Sequence, residues 1–171
     1  MNTEKRREIL MKRLREAKQP LTGTKLAREL GVSRQIIVGD ISILRAEGTQ
    51  IFATPRGYIM PQEAGDKSIK ATIVCHHDAT AMEKELQAVV DNGGSVLDVI
   101  VEHPVYGEMT APLRLSSRAG VEVFMRHFES GETSPISQLT GGVHLHTVEA
   151  PDEQTMERIL TALREKGYLV E

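Results

Sequence analysis

The sequence is poor in the residues that anchor most small cores. Trp is absent, and there are only three Phe and three Tyr. Any core must therefore be assembled from aliphatic side chains and the seven Met. A single cysteine, Cys75, excludes an internal disulfide and with it the disulfide-stapled secreted scaffolds. No apolar run approaches the ~18–20 residues that a membrane-spanning helix needs. The N-terminus, MNTEKRREIL, is charged and then amphipathic, without the apolar segment or cleavage site of a secretory signal. A cytoplasmic protein is expected.

What is present is unevenly distributed. The 171 residues carry a formal charge of −3. Residues 1–61 hold 12 Lys and Arg against 6 Asp and Glu, whereas residues 62–171 hold 9 against 18. This split predicts a basic module joined to an acidic one rather than one uniform globule. The expected domains are residues 1–61, a polar linker at 62–68, and residues 69–171.

In the basic half, Ile9, Leu10 and Leu14 mark one stripe of a helix over 3–18 that Pro20 ends. Thr22 or Gly23 opens a short second helix through Leu30. Gly31-Val32-Ser33 then supplies a tight turn and an N-cap serine. The third helix, 34–47, buries Ile37, Ile41 and Leu44, which leaves Arg34, Gln35, Val38, Gly39 and Ser42 outside. Two helices joined by such a turn read as a helix-turn-helix. Arg and Gln at its start suit bidentate contacts to guanine and adenine edges. Segments 50–53 and 58–60 flank Thr54-Pro55-Arg56-Gly57, a hairpin wing whose Arg56 sits within reach of a phosphate or the minor groove. A three-helix bundle used for protein contacts would share these helices. The capped turn, the polar helix start, the wing and the positive balance agree on DNA instead.

The segment KLARELGVSRQIIVGDISILRAEG resembles the winged helix-turn-helix of biotin-repressor-like regulators. That resemblance implies that Ser33, Arg34 and Gln35 face DNA, with Asp40 and Arg45 in structural or phosphate-side roles. Gly39 stands where such helices often carry a longer polar side chain.

In the acidic half the periodicity predicts strands at 69–75, 95–102, 108–115 and 143–149. Helices are predicted at 79–92, 118–130 and 152–166, with a short last strand at 168–170. The order β-α-β-β-α-β, extended by α-β, is that of a ferredoxin-like α/β sandwich, and the whole chain is of the α+β class. Its chemistry lies in the histidines. His144 and His146 fall on one face of a strand, because side chains alternate with period two. His77 ends the first strand, and Glu85 lies on the helix after it. If the first and the 143–149 strands are neighbours, His77, His144 and His146 converge and Glu85 adds a carboxylate. Three imidazoles and one carboxylate suit a borderline divalent ion such as Zn, Ni, Co or Fe. His76 should point the opposite way, and His127 lies on a solvated helix face. His103 is a further partner, an outer group or a loop residue. Cys75 is a soft ligand in principle, but a single strand cysteine reads as packing.

The segments HPVYGE and LTGGVHLHTVEAPDE, with His77 spaced ahead of Glu85-Leu86, resemble the 3H domain. With ATPRGY in the wing, the architecture is similar to the niacin-responsive repressors of NAD biosynthesis and niacin uptake. The resemblance implies one divalent metal on His77, Glu85, His144 and His146. It also implies nicotinic acid as co-repressor and a homodimer on a palindromic operator; no catalytic residues are expected. Nicotinate's carboxylate or pyridine nitrogen could complete the metal's coordination, with Arg114 or Arg118 as candidate helpers. The alternatives are a metal-responsive regulator and a metal-dependent hydrolase fused to a helix-turn-helix. The second lacks a convincing further acid, base or nucleophile.

Overall fold

The computed structural model describes residues 2–61 and 67–171. The chain forms two compact units, 1–64 and 65–171. Of the expected linker at 62–68, residues 62–66 lie outside the described residues.

The first unit packs helices α1 (Thr3–Glu16), α2 (Gly23–Leu30) and α3 (Arg34–Ala46) with a hairpin of β1 (Phe52–Thr54) and β2 (Gly57–Ile59). Each helix begins at a side-chain cap. Asn2 accepts from the Lys5 amide at 2.9 Å, Thr22 from Lys25 at 3.1 Å and Ser33 from Ile36 at 3.3 Å. Such caps satisfy amides that the helix itself leaves open. Leu10, Leu14, Leu26, Ile37, Ile41, Leu44 and Ile51 form the core. Gly57 adopts φ +125°, and a Cβ there would overlap the Leu21 carbonyl, so only glycine lets the wing close on the 21–22 segment. The Leu21 and Tyr58 backbones exchange hydrogen bonds of 2.9 and 2.8 Å across that approach.

Asp40 is buried within this unit. It accepts from Arg6 Nε at 2.6 Å and Nη2 at 3.2 Å, and from Arg7 Nε at 3.1 Å. Its role is structural: it ties α1 to α3.

The second unit contains β3 (Ile69–His76), α4 (Met82–Asp91), β4 (Ser95–His103), β5 (Gly107–Leu115), α5 (Arg118–Arg126), β6 (Val143–Ala150) and α6 (Glu153–Glu165). The strand order is β3-β6-β4-β5, antiparallel throughout. Both β-α-β connections are split: β6 lies between β3 and β4, and β4 lies between β5 and β6. The expected element order is present, and its sheet places β6, not β3, beside β4. Leu86, Val89, Val96, Val101, Leu115, Val121, Val148, Ile159 and Leu163 build the core, with no tryptophan needed.

Four elements differ from the sequence expectation, one of them an unpredicted 3-10 helix, Ile136–Thr140, ahead of β6. A 3-10 turn, Ala79–Ala81, precedes α4, capped by Asp78, which accepts from the Thr80 amide at 2.9 Å. Helix α5 stops at Arg126, and the Thr133 hydroxyl then donates to the His127 carbonyl at 2.8 Å, turning the chain back. The last strand is only a bridge between Cys75 and Leu169, held by the His76 and Val170 amides donating to Tyr168 and Val74 at 2.9 Å each.

Candidate metal centre and nucleic-acid interface

The β3–β6 ladder sets Cys75 opposite His144 and Ile73 opposite His146. His77, the next same-face residue, continues this row just past the strand. Helix α4 covers the row, and its inward stripe runs Met82, Glu85, Leu86, Ala88 and Val89. Spacing alone would put an aliphatic at 85. The helix instead drives a carboxylate that is 1% exposed into the imidazoles. Glu85 Oε2 lies 2.7 Å from His77 Nε2 and 3.4 Å from His146 Nε2, and Oε1 lies 3.1 Å from His144 Nε2. The rings pack edge to face, with centroids 4.8 Å apart for both His77–His144 and His144–His146.

The opposite nitrogens decide what these rings can do. His77 Nδ1 donates to the Asp78 carbonyl at 2.8 Å, His144 Nδ1 to Gly142 at 2.8 Å and His146 Nδ1 to Asp98 at 2.6 Å. A carbonyl only accepts, so each Nδ1 carries the proton and each Nε2 directs a lone pair inward. Three lone pairs then face an acceptor-only carboxylate. The arrangement holds together only with a cation among them, either protons or a metal. Fixing Nδ1 on a carbonyl is also how metal-bound histidines are oriented. His77 Nε2 makes no hydrogen bond of acceptable geometry despite its short approach to Glu85.

The electrostatics agree. Burial opposes charge on His77 and His146, yet Glu85 and the carbonyls outweigh it and raise both above the usual imidazole value. Burial likewise opposes the Glu85 charge, but the three imidazoles hold its carboxyl far below the ordinary range.

Two backbone features position the rings. Gly142 sits at φ +92°, and a Cβ there would overlap the His77 carbonyl, so glycine is required where β6 begins beside His77. The β4–β6 register shifts between Val96 and Ile100. In that irregularity Asp98 supplies its carbonyl to His146 and its Oδ1 to the Thr147 amide, 2.8 Å away. Bulges of this kind re-aim side chains next to functional sites. Asp98 was visible in the sequence only as an acid in the middle of an apolar strand.

The remaining candidates lie elsewhere. His76 is exposed on the far face of β3. His103 accepts the Val105 and Tyr106 amides on Nδ1 at 3.1 and 3.2 Å and rests against the Tyr106 ring, so it braces the β4–β5 hairpin tip. Arg118 pairs with Asp91 through two bonds of 2.8 and 2.7 Å at the surface. His127 is exposed and donates to Val123 at 3.0 Å. Arg114 lies in β5 with φ +54°. Cys75 is fully buried. Its Sγ, a Glu85 oxygen and a His144 nitrogen all lie within 4.8 Å of one another. A cavity of about 580 Å³ adjoins the cluster, lined by His76, His77, Asp78, Ala79, Ser137, Gln138, Gly141 and Gly142.

In the first unit, Ser33, Arg34 and Gln35 are exposed at the start of α3, and Gly39 is open to solvent one turn on. Arg56 occupies the wing turn, half-buried, with its amide donating to Thr54 Oγ1 at 3.2 Å.

The fold and site thus define a helix-turn-helix unit joined to a histidine-bearing α+β unit. Residues 6–59 match the HTH domain family and residues 70–171 the 3H domain family. The chain is 47% identical over 169 residues to the probable transcription repressor NiaR of Thermotoga maritima, covering 98% of this chain and 95% of that one. It is 44% identical over 167 residues to the transcription repressor NadR of Bacillus subtilis, covering 96% and 93%. The chain belongs to this NiaR/NadR family of 3H-domain transcription repressors.

Proposed function

We propose that this protein is a DNA-binding repressor of genes for NAD biosynthesis and niacin uptake. In this reading it acts as a homodimer on a palindromic operator, with nicotinic acid as co-repressor. One divalent metal, Ni or Zn, is held by His77, Glu85, His144 and His146. The observation that carries the metal is the inward set of three Nε2 lone pairs facing a buried carboxylate, each ring fixed by a carbonyl at Nδ1. The donor set fits a borderline ion and lacks the oxygens that calcium or magnesium would want. When bound, the ion would supply positive charge and an acceptor site for a carboxylate or pyridine nitrogen. The cavity beside His77 offers room for such a ligand within the usual range of about 300–1,000 Å³.

The chain's own residues account for the DNA side. Ser33, Arg34 and Gln35 begin the recognition helix, and Arg56 stands at the wing. The positive balance of residues 1–61 favours phosphates, while the acidic half discourages indiscriminate collapse onto DNA. Dimerisation through the 3H unit spaces two such modules about one helical turn apart. Nicotinate shifts operator affinity only as far as it prefers the DNA-competent arrangement.

The test is operator binding by fluorescence anisotropy, with metal-stripped and metal-loaded protein, each with and without nicotinic acid. Tight binding only with both present is expected. Metal acting alone would favour a metal-responsive regulator. Equal binding in all four samples would overturn the co-repressor reading.

A further inference from the structure

Cys75 is a buried thiol that the proposed ligand set does not use. We propose that Cys75 is itself a ligand of the metal centre, contributing a thiolate beside the imidazoles and Glu85. This rests on the metal reading above and sharpens it to a mixed nitrogen, oxygen and sulfur site.

Three observations carry it. First, β3–β6 pairing places Cys75 directly across from His144, where opposite Cβ atoms lie about 4.5–5.5 Å apart. Both side chains share the face that α4 covers. Second, Sγ, a Glu85 oxygen and a His144 nitrogen lie mutually within 4.8 Å. Ligands of one tetrahedral ion with bonds of about 2.0–2.3 Å lie roughly 3.5 Å apart, so side-chain movement of about an ångström brings the three atoms to one ion. Third, His77 Nε2, on a side chain 5% exposed, is aimed at the same Glu85 carboxylate without a well-formed hydrogen bond. Cys75 is packed into the apolar core of this unit on one side. It also faces a carboxylate and an imidazole, in a row where Ile73 provides the ordinary apolar filling two residues earlier.

The chemistry balances simply. The ion forms a bond to Sγ, and the thiol proton leaves to solvent. A thiolate donor biases the site toward Zn, Ni and Co and away from Mg, Ca and Mn.

The experiment loads the full-length, metal-stripped chain with one equivalent of Co²⁺ and records its absorption. Visible d–d bands at one ion per chain report the site. A near-ultraviolet thiolate-to-cobalt charge-transfer band reports Cys75, because the chain has no other cysteine. Both are expected in the unmodified protein. Cys75→Ser is expected to keep the d–d bands and stoichiometry and lose the charge-transfer band. If that variant does not fold, the unmodified spectrum still decides. The d–d bands without the charge-transfer band would overturn Cys75 as a ligand and leave the imidazole–carboxylate site standing. No cobalt uptake would overturn both. Affinity alone does not discriminate, since loss of an outer hydrogen-bonding partner of Glu85 also weakens binding about 10–100-fold.

Discussion

At the scale of single residues, protons and the proposed metal would compete for the same lone pairs. The raised His77 and His146 contribute stability that is whole below the unfolded imidazole value of about 6.5 and is lost as pH climbs through their raised values. Glu85, held low, contributes stability that is whole above about pH 4.3 and is lost as pH falls. The metal-free protein is therefore expected to be most stable between roughly pH 4.5 and 6.5 and to weaken above. A metal replaces the protons, so its stabilisation should grow over the same rise. Urea unfolding with and without Zn²⁺, from about pH 6 to 8, is expected to give diverging curves; parallel curves would contradict the competition. On the DNA side, Arg34→Ala should cost ~1–3 kcal/mol at the cognate operator. Unchanged anisotropy titrations would remove Arg34 from direct base contact.

At the scale of elements, the site depends on how two strands and one helix are indexed. The His-x-His spacing and the periodicity of 79–92 made His144, His146 and Glu85 legible in the sequence, because alternation and helical repeat fix which face each occupies. Their convergence was conditional on β3 lying beside β6, which only the ladder supplies. Cys75 was legible as a residue but not as a neighbour, since its meaning comes from register opposite His144. The Asp78, Gly142 and Asp98 carbonyls were not legible at all: a carbonyl belongs to every residue type, and only the fold aims it. The same logic gave the wing and the capped turn from Gly, Pro and Ser, while the length of α5 escaped because the chain after Arg126 turns in local bonds, Thr133 to His127 among them, that its composition did not mark. Asp98→Ala tests the bulge as a positioning device. It strips the Thr147 amide of its acceptor, at a cost of about 1–3 kcal/mol in unfolding free energy. It should also loosen His146 and lower metal affinity roughly 10–100-fold. Destabilisation with intact metal affinity would separate the strand's role from the site's.

At the scale of the whole molecule, the charge split becomes a statement about salt. The logarithm of operator affinity should fall linearly with log salt, at a slope of about −0.9 per phosphate neutralised. That slope should be set by Lys and Arg of residues 1–61. Neutralising exposed Glu residues on α6, such as Glu157 and Glu165, is expected to leave it unchanged, as salt-series anisotropy can check. A steeper slope would mean that the acidic half also lies against DNA. Coupling between sites is reciprocal at equilibrium. If nicotinate is the proposed co-repressor, whatever factor it adds to operator affinity, operator DNA must add to nicotinate affinity.

The turn at Asp78 joins these scales. Its carboxylate caps the first amides ahead of α4, while its carbonyl fixes the His77 ring. One residue thus ties the start of the helix that carries Glu85 to the histidine that Glu85 faces. Ion release should accordingly be recorded as a change in hydrogen exchange. The Thr80 and Ala81 amides are expected to trade deuterium faster in stripped protein than in loaded protein, while the buried strand amide of Val148 keeps its pace. The helix start would then act as a local gauge of occupancy, readable without DNA or nicotinate.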